Sequence, residues 1–229
     1  MRLAIIPARG GSKRIPRKNI KDLFGQPVIG ITITTLLESD LFSKVVVSTD
    51  DHDIASVARS FGAEVPNLRP EALSGDLAST DEVIHHSVIE CIKYFGNFEQ
   101  GCCVYPVNPF LNSEILIAGL QMMLNRKADT CFSVVKYDFP IEQALELIDG
   151  KPNFCWPEKM VEGSQKLKNY FHDAAMFYWF ETESFIRNGM LFGANSVCLE
   201  IDPMKCQDIN TPEDWELAKL KLARINEKG

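Results

Sequence analysis

The chain has 229 residues, is 45% hydrophobic and 24% charged, and carries a net charge of -7. That length suits one large α/β domain with at most a small appendage, and no apolar run approaches the roughly 20 residues of a membrane-spanning helix. The N-terminal MRLAIIPARGG is too short in its apolar part for a signal peptide and turns basic afterwards, so a cytoplasmic protein is expected.

The elements follow in order. RLAII reads as a buried strand and, after the turn signal FGQP, PVIGITITTLLES as a helix. KVVVSTDD is a second buried strand, DHDIASVARSFG a helix stopped by Gly62, and AEVPNLRP a short strand and loop. STDEVIHHSVIECIKYFG is the clearest helix, with Ser79 and Glu82 set for a capping box. GCCVYP and TCFSVVKY read as strands on either side of the helix SEILIAGLQMMLNRK. NYFHDAAMFYWF is strand-like, and TPEDWELAKLKLARI is a final helix with Thr211 as N-cap and Pro212 behind it.

Strand-loop-helix alternation predicts a doubly wound, mostly parallel sheet in a single domain over 1–229. Ligands of such sheets lie beyond the carboxyl ends of the strands, which marks loops 7–19, 48–53, 66–80 and 105–113. Residues 138–180 break the alternation. PIEQALELIDGKPNFCWPEK there suggests a hairpin with a Gly-Lys-Pro turn, a dimerisation arm rather than a second domain.

Charge is unevenly placed. Residues 1–21 hold seven cations and no acid, leaving 17 cations against 31 acids elsewhere. Such a body repels a long polyanion, so nucleic acid is excluded as a partner, and a small, highly charged anion held at one point fits better. The seven cysteines have no zinc spacing and read as small buried hydrophobes in a reduced compartment.

The stretch IIPARGGSKRIPRKNI puts Arg9, Lys13, Arg14, Arg17 and Lys18 around Gly10 and Gly11, just after the first strand. Glycines let backbone N–H groups turn inward as an anion nest, and the cations suit a polyphosphate. Neither the Gly-Lys-Ser/Thr ending of a P-loop nor a GxGxxG fingerprint is present.

This stretch, with VVVSTDD, FGAEVPNLRPEALSGDLAST, FHDAAMFYW and QDINTPEDW, resembles the cytidylyltransferases that activate nonulosonic acids, the CMP-sialic acid synthetase family. YFHDAAMFYW and YPVNPFL are most similar to its pseudaminic acid branch. The resemblance implies CTP and a nonulosonic acid as substrates, pyrophosphate as co-product, Mg2+ as cofactor and a homodimer whose arm reaches over the neighbouring site.

Residue by residue, the resemblance implies catalytic roles for Arg9, Lys13, Lys18 and Asn19, with Lys18 stabilising charge at the α-phosphate. Ala8, Gly10, Gly11 and Ser12 fall on the nucleotide. Arg69 falls on the cytosine, with a surface salt bridge as the competing reading, and Ala78 and Thr80 lie near the base. Tyr105, His172, Asp173 and Gln207 fall on the sugar, His172 being alternatively a structural histidine. Tyr105, Leu111 and Glu142 replace a glutamine, an arginine and a lysine of sialic acid synthetases, which suits a more deoxygenated sugar. Asp208 and Asn210 are the metal pair, and Asn210 stands where the family carries aspartate, one negative charge fewer.

Overall fold

The computed structural model describes residues 1–227. In chain order the chain forms β1 (Arg2–Pro7), the two-residue strands β2 (Asp22–Leu23) and β3 (Gln26–Pro27), α1 (Val28–Glu38), β4 (Lys44–Ser48), α2 (His52–Ser60), α3 (Thr80–Phe95) and β5 (Gln100–Val104). There follow α4 (Ser113–Arg126), β6 (Thr130–Lys136), β7 (Leu145–Ile148), β8 (Lys151–Phe154), β9 (Phe171–Glu181), α5 (Thr182–Asn188), β10 (Ser196–Glu200) and α6 (Pro212–Asn226).

Six strands make one sheet in the order β10-β6-β9-β5-β1-β4. All of its pairings are parallel except those of β9, which runs antiparallel to β5 and β6. Both faces are covered. Ala4 and Ile6 of β1 pack with α1, α2, α4 and α6, while Leu3 and Ile5 pack with α3 and α5. Burial on both faces explains why RLAII is continuously apolar rather than alternating. Cap chemistry sets the helix starts: Ser79–Glu82 and Thr211–Asp214 both close capping boxes.

Three features depart from the sequence reading. The segment around Glu64 makes a single bridge to Val46 rather than a strand, and α5 and β10 were not anticipated. The expected arm is shorter than 138–180, because Phe171–Glu181 is a central strand of the sheet. What projects is the β7–β8 hairpin. Its turn is Asp149–Gly150, with φ of 49° and 75°, not Gly-Lys-Pro: an Asp-Gly pair supplies the two positive φ values that match strand twist, while Lys151 and Pro152 already belong to β8.

At the head of α2, the Asp51 carboxylate accepts the N–H groups of Asp53 and Ile54, both at 2.9 Å, and the Arg17 guanidinium at 2.8 Å. Burial opposes ionisation of Asp51, but these N–H groups and Arg17 prevail and hold its carboxyl below the ordinary 3.8. Asp51→Ala is expected to cost about 1 kcal/mol in urea unfolding at neutral pH. Because the folded-state value is depressed, that contribution is present above the ordinary carboxylate range and disappears as pH falls below it. An unfolding difference that stays constant into acid would contradict this role.

Candidate active site

The strands β1, β4 and β5 end at a cleft of about 750 Å³. Its walls come from the 9–19 loop, the 69–80 loop, residues 105–108 after β5, the Asp173–Ala175 segment of β9 and the Gln207–Asn210 segment before α6. Of the residues singled out in the sequence, Arg9, Ser12, Lys13, Lys18, Asn19, Arg69, Ala78, Thr80, Tyr105, Asp173, Gln207, Asp208 and Asn210 all line it. Arg14 does too, which lifts it above a surface charge. Arg17 instead spans Asp51 and Asp53.

The basic loop is tethered from below. Asn19 is buried and donates its amide to the Arg9 carbonyl at 2.9 Å. Gly10 donates its N–H to Asp50 at 3.1 Å, and a Cβ at Gly10 would stand 2.7 Å from the Asp51 carboxylate, so only glycine lets the loop approach there. Ala8 is fully buried, lies outside the lining, and has its N–H engaged by the Ser48 carbonyl. Gly10 and Gly11 sit behind the lining, Gly11 in open space.

Arg9 and Lys13 both clasp Asp76, at 2.7 and 2.6 Å. Asp76 sits in SGDLAST, where the sequence reading marked only the loop. A carboxylate of the chain itself therefore pairs with both cations. Asp76→Ala is expected to lower the Kd for CTP several-fold by removing this competitor, as read by calorimetry. Weaker binding would show instead that Asp76 holds the two cations in their working positions.

Lys18 reaches across the cleft floor and donates to the Ile209 carbonyl at 2.7 Å. Burial lowers the affinity of its amine for a proton, and Asp208 partly offsets this. Arg69 is deeply buried, with its side chain 4% exposed. One nitrogen meets Asp50 at 3.4 Å while its Nε has no partner. Burial also lowers the guanidinium's hold on its proton, and Asp50 partly offsets this. The pair with Asp50 is therefore a buried one, not the surface salt bridge that the sequence left open, and the guanidinium keeps an unused donor.

On the opposite wall, the Thr80 and Tyr105 hydroxyls meet at 3.1 Å. Asp173 accepts from the Tyr178 hydroxyl and from the Ala175 N–H. His172 points elsewhere. It is exposed, its ring lies edge-on to Tyr137 at 4.8 Å, and it is absent from the cleft lining. Two presumed specificity positions lie away as well. Leu111 is packed in the core, and Glu142 is buried, accepting the Lys168 N–H at 3.1 Å.

No group of three or more His, Cys, Asp or Glu suited to a metal occurs among the described residues. The Asn210 amide donates to Asp208 and its Oδ1 accepts from Arg14 at 2.9 Å. Asp208 and Asn210 are nevertheless hard oxygen donors on the cleft. One carboxylate with waters and phosphate oxygens is a donor set magnesium accepts, so the residues fit the ion as a sparse site.

A family model described as cytidylyltransferase matches residues 3–195. The chain belongs to that family. It is 34% identical to the pseudaminic acid cytidylyltransferase of Campylobacter jejuni, over 99% of this chain and 98% of the relative. It is 33% identical to the CMP-N,N'-diacetyllegionaminic acid synthase of Legionella pneumophila, over 99% and 98%. Among solved structures it resembles a CMP:2-keto-3-deoxy-manno-octonic acid synthetase complexed with CTP, with a TM-score of 0.71, 16% identity and coverage of 97% and 98%. That likeness establishes the nucleotidyltransferase fold. The cations of this cytidylyltransferase line the same cleft as Tyr105, Asp173 and Gln207.

Proposed function

We propose that the protein transfers CMP from CTP to the anomeric hydroxyl of a nonulosonic acid, pseudaminic acid, releasing pyrophosphate. The observation that carries this reading is the gathering of Arg9, Lys13, Arg14, Lys18 and Arg69 into one cleft of an otherwise acidic chain. The sugar oxygen attacks the α-phosphorus, and the bond to the β-phosphate breaks. Catalysis of this kind is mostly positioning and charge neutralisation. Arg9 and Lys13 exchange Asp76 for the β- and γ-phosphates, Lys18 meets charge at the α-phosphate, and Arg69 reads the cytosine. Asp208 and Asn210 would hold a magnesium ion, which supplies further neutralisation of the phosphates.

The exposed apolar residues of the hairpin, Leu147 and Ile148 among them, support its reading as the arm of a homodimer. No helix among the described residues is long and apolar enough to cross a membrane, in keeping with a cytoplasmic enzyme whose product feeds flagellin-type or other surface glycans.

Pyrophosphate release with CTP and magnesium, offering pseudaminic, legionaminic and N-acetylneuraminic acids separately, tests the reading. Turnover with pseudaminic acid is expected. Turnover confined to another acid would retain the reaction and replace the sugar. Asn210 favours a second reading, a CTP-binding homologue with weakened catalysis. CTP binding without pyrophosphate release, restored by Asn210→Asp, would select it.

A further inference from the structure

Strand β9 does not pass the cleft as a regular strand. Val134 pairs with Asp173 and Phe132 with Tyr178, so a two-residue step along β6 meets a five-residue step along β9. The surplus residues form a bulge that brings Asp173, Ala174 and Ala175 onto the cleft wall. Ala175 takes φ of 54°, the left-handed region that a residue with a Cβ adopts only when its surroundings enforce it.

The enforcement is visible. Buried Ser133 accepts the N–H groups of Met176 and Phe177 at 3.1 and 3.5 Å, and buried Asn108 donates to the Met176 carbonyl at 2.6 Å. The product of this bracing is the placement of one side chain. Asp173 Oδ1 accepts the Ala175 N–H at 2.9 Å, and Oδ2 accepts the Tyr178 hydroxyl at 2.5 Å. Tyr178 is itself immobilised, 1% exposed and packed edge-on against Tyr105 and Phe192 at 5.4 and 5.5 Å.

Three carboxylates line the cleft. Asp76 is paired with Arg9 and Lys13, and Asp208 lies near Lys18. Among the described residues Asp173 has no cationic partner within salt-bridge distance, and burial pushes its carboxyl above 3.8. An unneutralised carboxylate repels a triphosphate. Each of its oxygens has one protein donor and a second lone pair to offer, so it suits an uncharged hydrogen-bond donor.

The resemblance already puts Asp173 on the sugar; we propose that it acts there as the acceptor of an N–H or O–H donor of the sugar acid, and that Tyr178, acting through Asp173, is its positioning residue. The inference rests on the function proposed above and adds to it a specificity element that the nucleotide does not touch.

The test uses the full chain and measures the KM for the sugar acid, kcat and the Kd for CTP for Asp173→Asn and Tyr178→Phe. Asp173→Asn, which puts an amide N–H2 where an acceptor stood, is expected to raise the sugar KM about 10-fold or more. Tyr178→Phe, which keeps the ring in the core, should raise it about 3- to 10-fold with little change in kcat. Both should leave the Kd for CTP within about 2-fold, because the nucleotide end is intact. Inhibition by an analogue carrying hydroxyl in place of acylamido distinguishes the two donors: a variant effect confined to the acylamido sugar assigns the N–H, and an equal effect on both assigns the O–H. An unchanged sugar KM in Asp173→Asn would overturn the proposal, as would a rise in the Kd for CTP matching the rise in sugar KM. Failure of the unsubstituted chain to turn over any nonulosonic acid would overturn the proposed function and this inference together, whereas normal turnover with indifferent variants removes the inference alone.

Discussion

Lys18→Met lowers kcat for pyrophosphate release by about 100-fold or more, while the Kd for CTP rises much less. The expectation comes from where the ammonium stands. It lines the cleft, donating to the Ile209 carbonyl at 2.7 Å, and so links the basic loop to the segment bearing Asp208 and Asn210. Burial weakens its hold on the proton, so in this partly dry setting its charge acts with less screening than on an open surface. Charge developing on the reacting phosphate is felt there more strongly than charge already present in the ground state, which is why kcat carries the loss. Methionine keeps the length of the side chain and deletes the charge. If kcat in Lys18→Met stays within about 3-fold of the parent, Lys18 is only a tether for the Ile209 segment, and the stabilising role assigned to it fails.

Arg69→Ala raises the Kd for CTP by about 10- to 150-fold, equivalent to the roughly 1.5–3 kcal/mol carried by a hydrogen bond to a charged group. The guanidinium is buried, its main-chain N–H is fixed by the Thr49 carbonyl at 2.7 Å, and its Nε lacks a partner. Cytosine presents adjacent acceptors on one edge, which a planar fork satisfies and a point charge does not. Arg69→Lys should therefore recover little of the lost affinity, and discrimination of CTP against UTP should narrow in both variants. Unchanged CTP affinity with a lowered Tm would mean that Arg69 serves only to neutralise Asp50.

The parallel core was legible because burial on both faces leaves its mark as short apolar runs, and the helices because caps and stop residues punctuate them. β10 left no such mark. It is an edge strand, half-exposed over Ser196–Glu200, and its composition does not separate it from a loop. Nor does local sequence record direction, so the antiparallel entry of β9 between β5 and β6 could not be read. In the cleft, the clustering of cations around Gly10 and Gly11 marked the basic part of the lining. The other wall depends on contacts distant in sequence. Whether residues 172–175 face the cleft is decided by a bulge that Ser133 and Asn108 brace from elsewhere in the chain. Local sequence does not show this, so the resemblance alone puts His172 with the sugar, and nothing marks Tyr178. Asp76 escaped notice for a related reason, since a carboxylate in a loop has no meaning until Arg9 and Lys13 are seen to hold it.

The most direct test of the central claim is mass analysis of the products formed from CTP and pseudaminic acid in the presence of magnesium. A CMP-linked sugar and pyrophosphate appearing in equal amounts, with neither formed when CTP or the sugar acid is omitted, is the predicted result. Recovery of intact CTP and free sugar from a protein that binds CTP would contradict it.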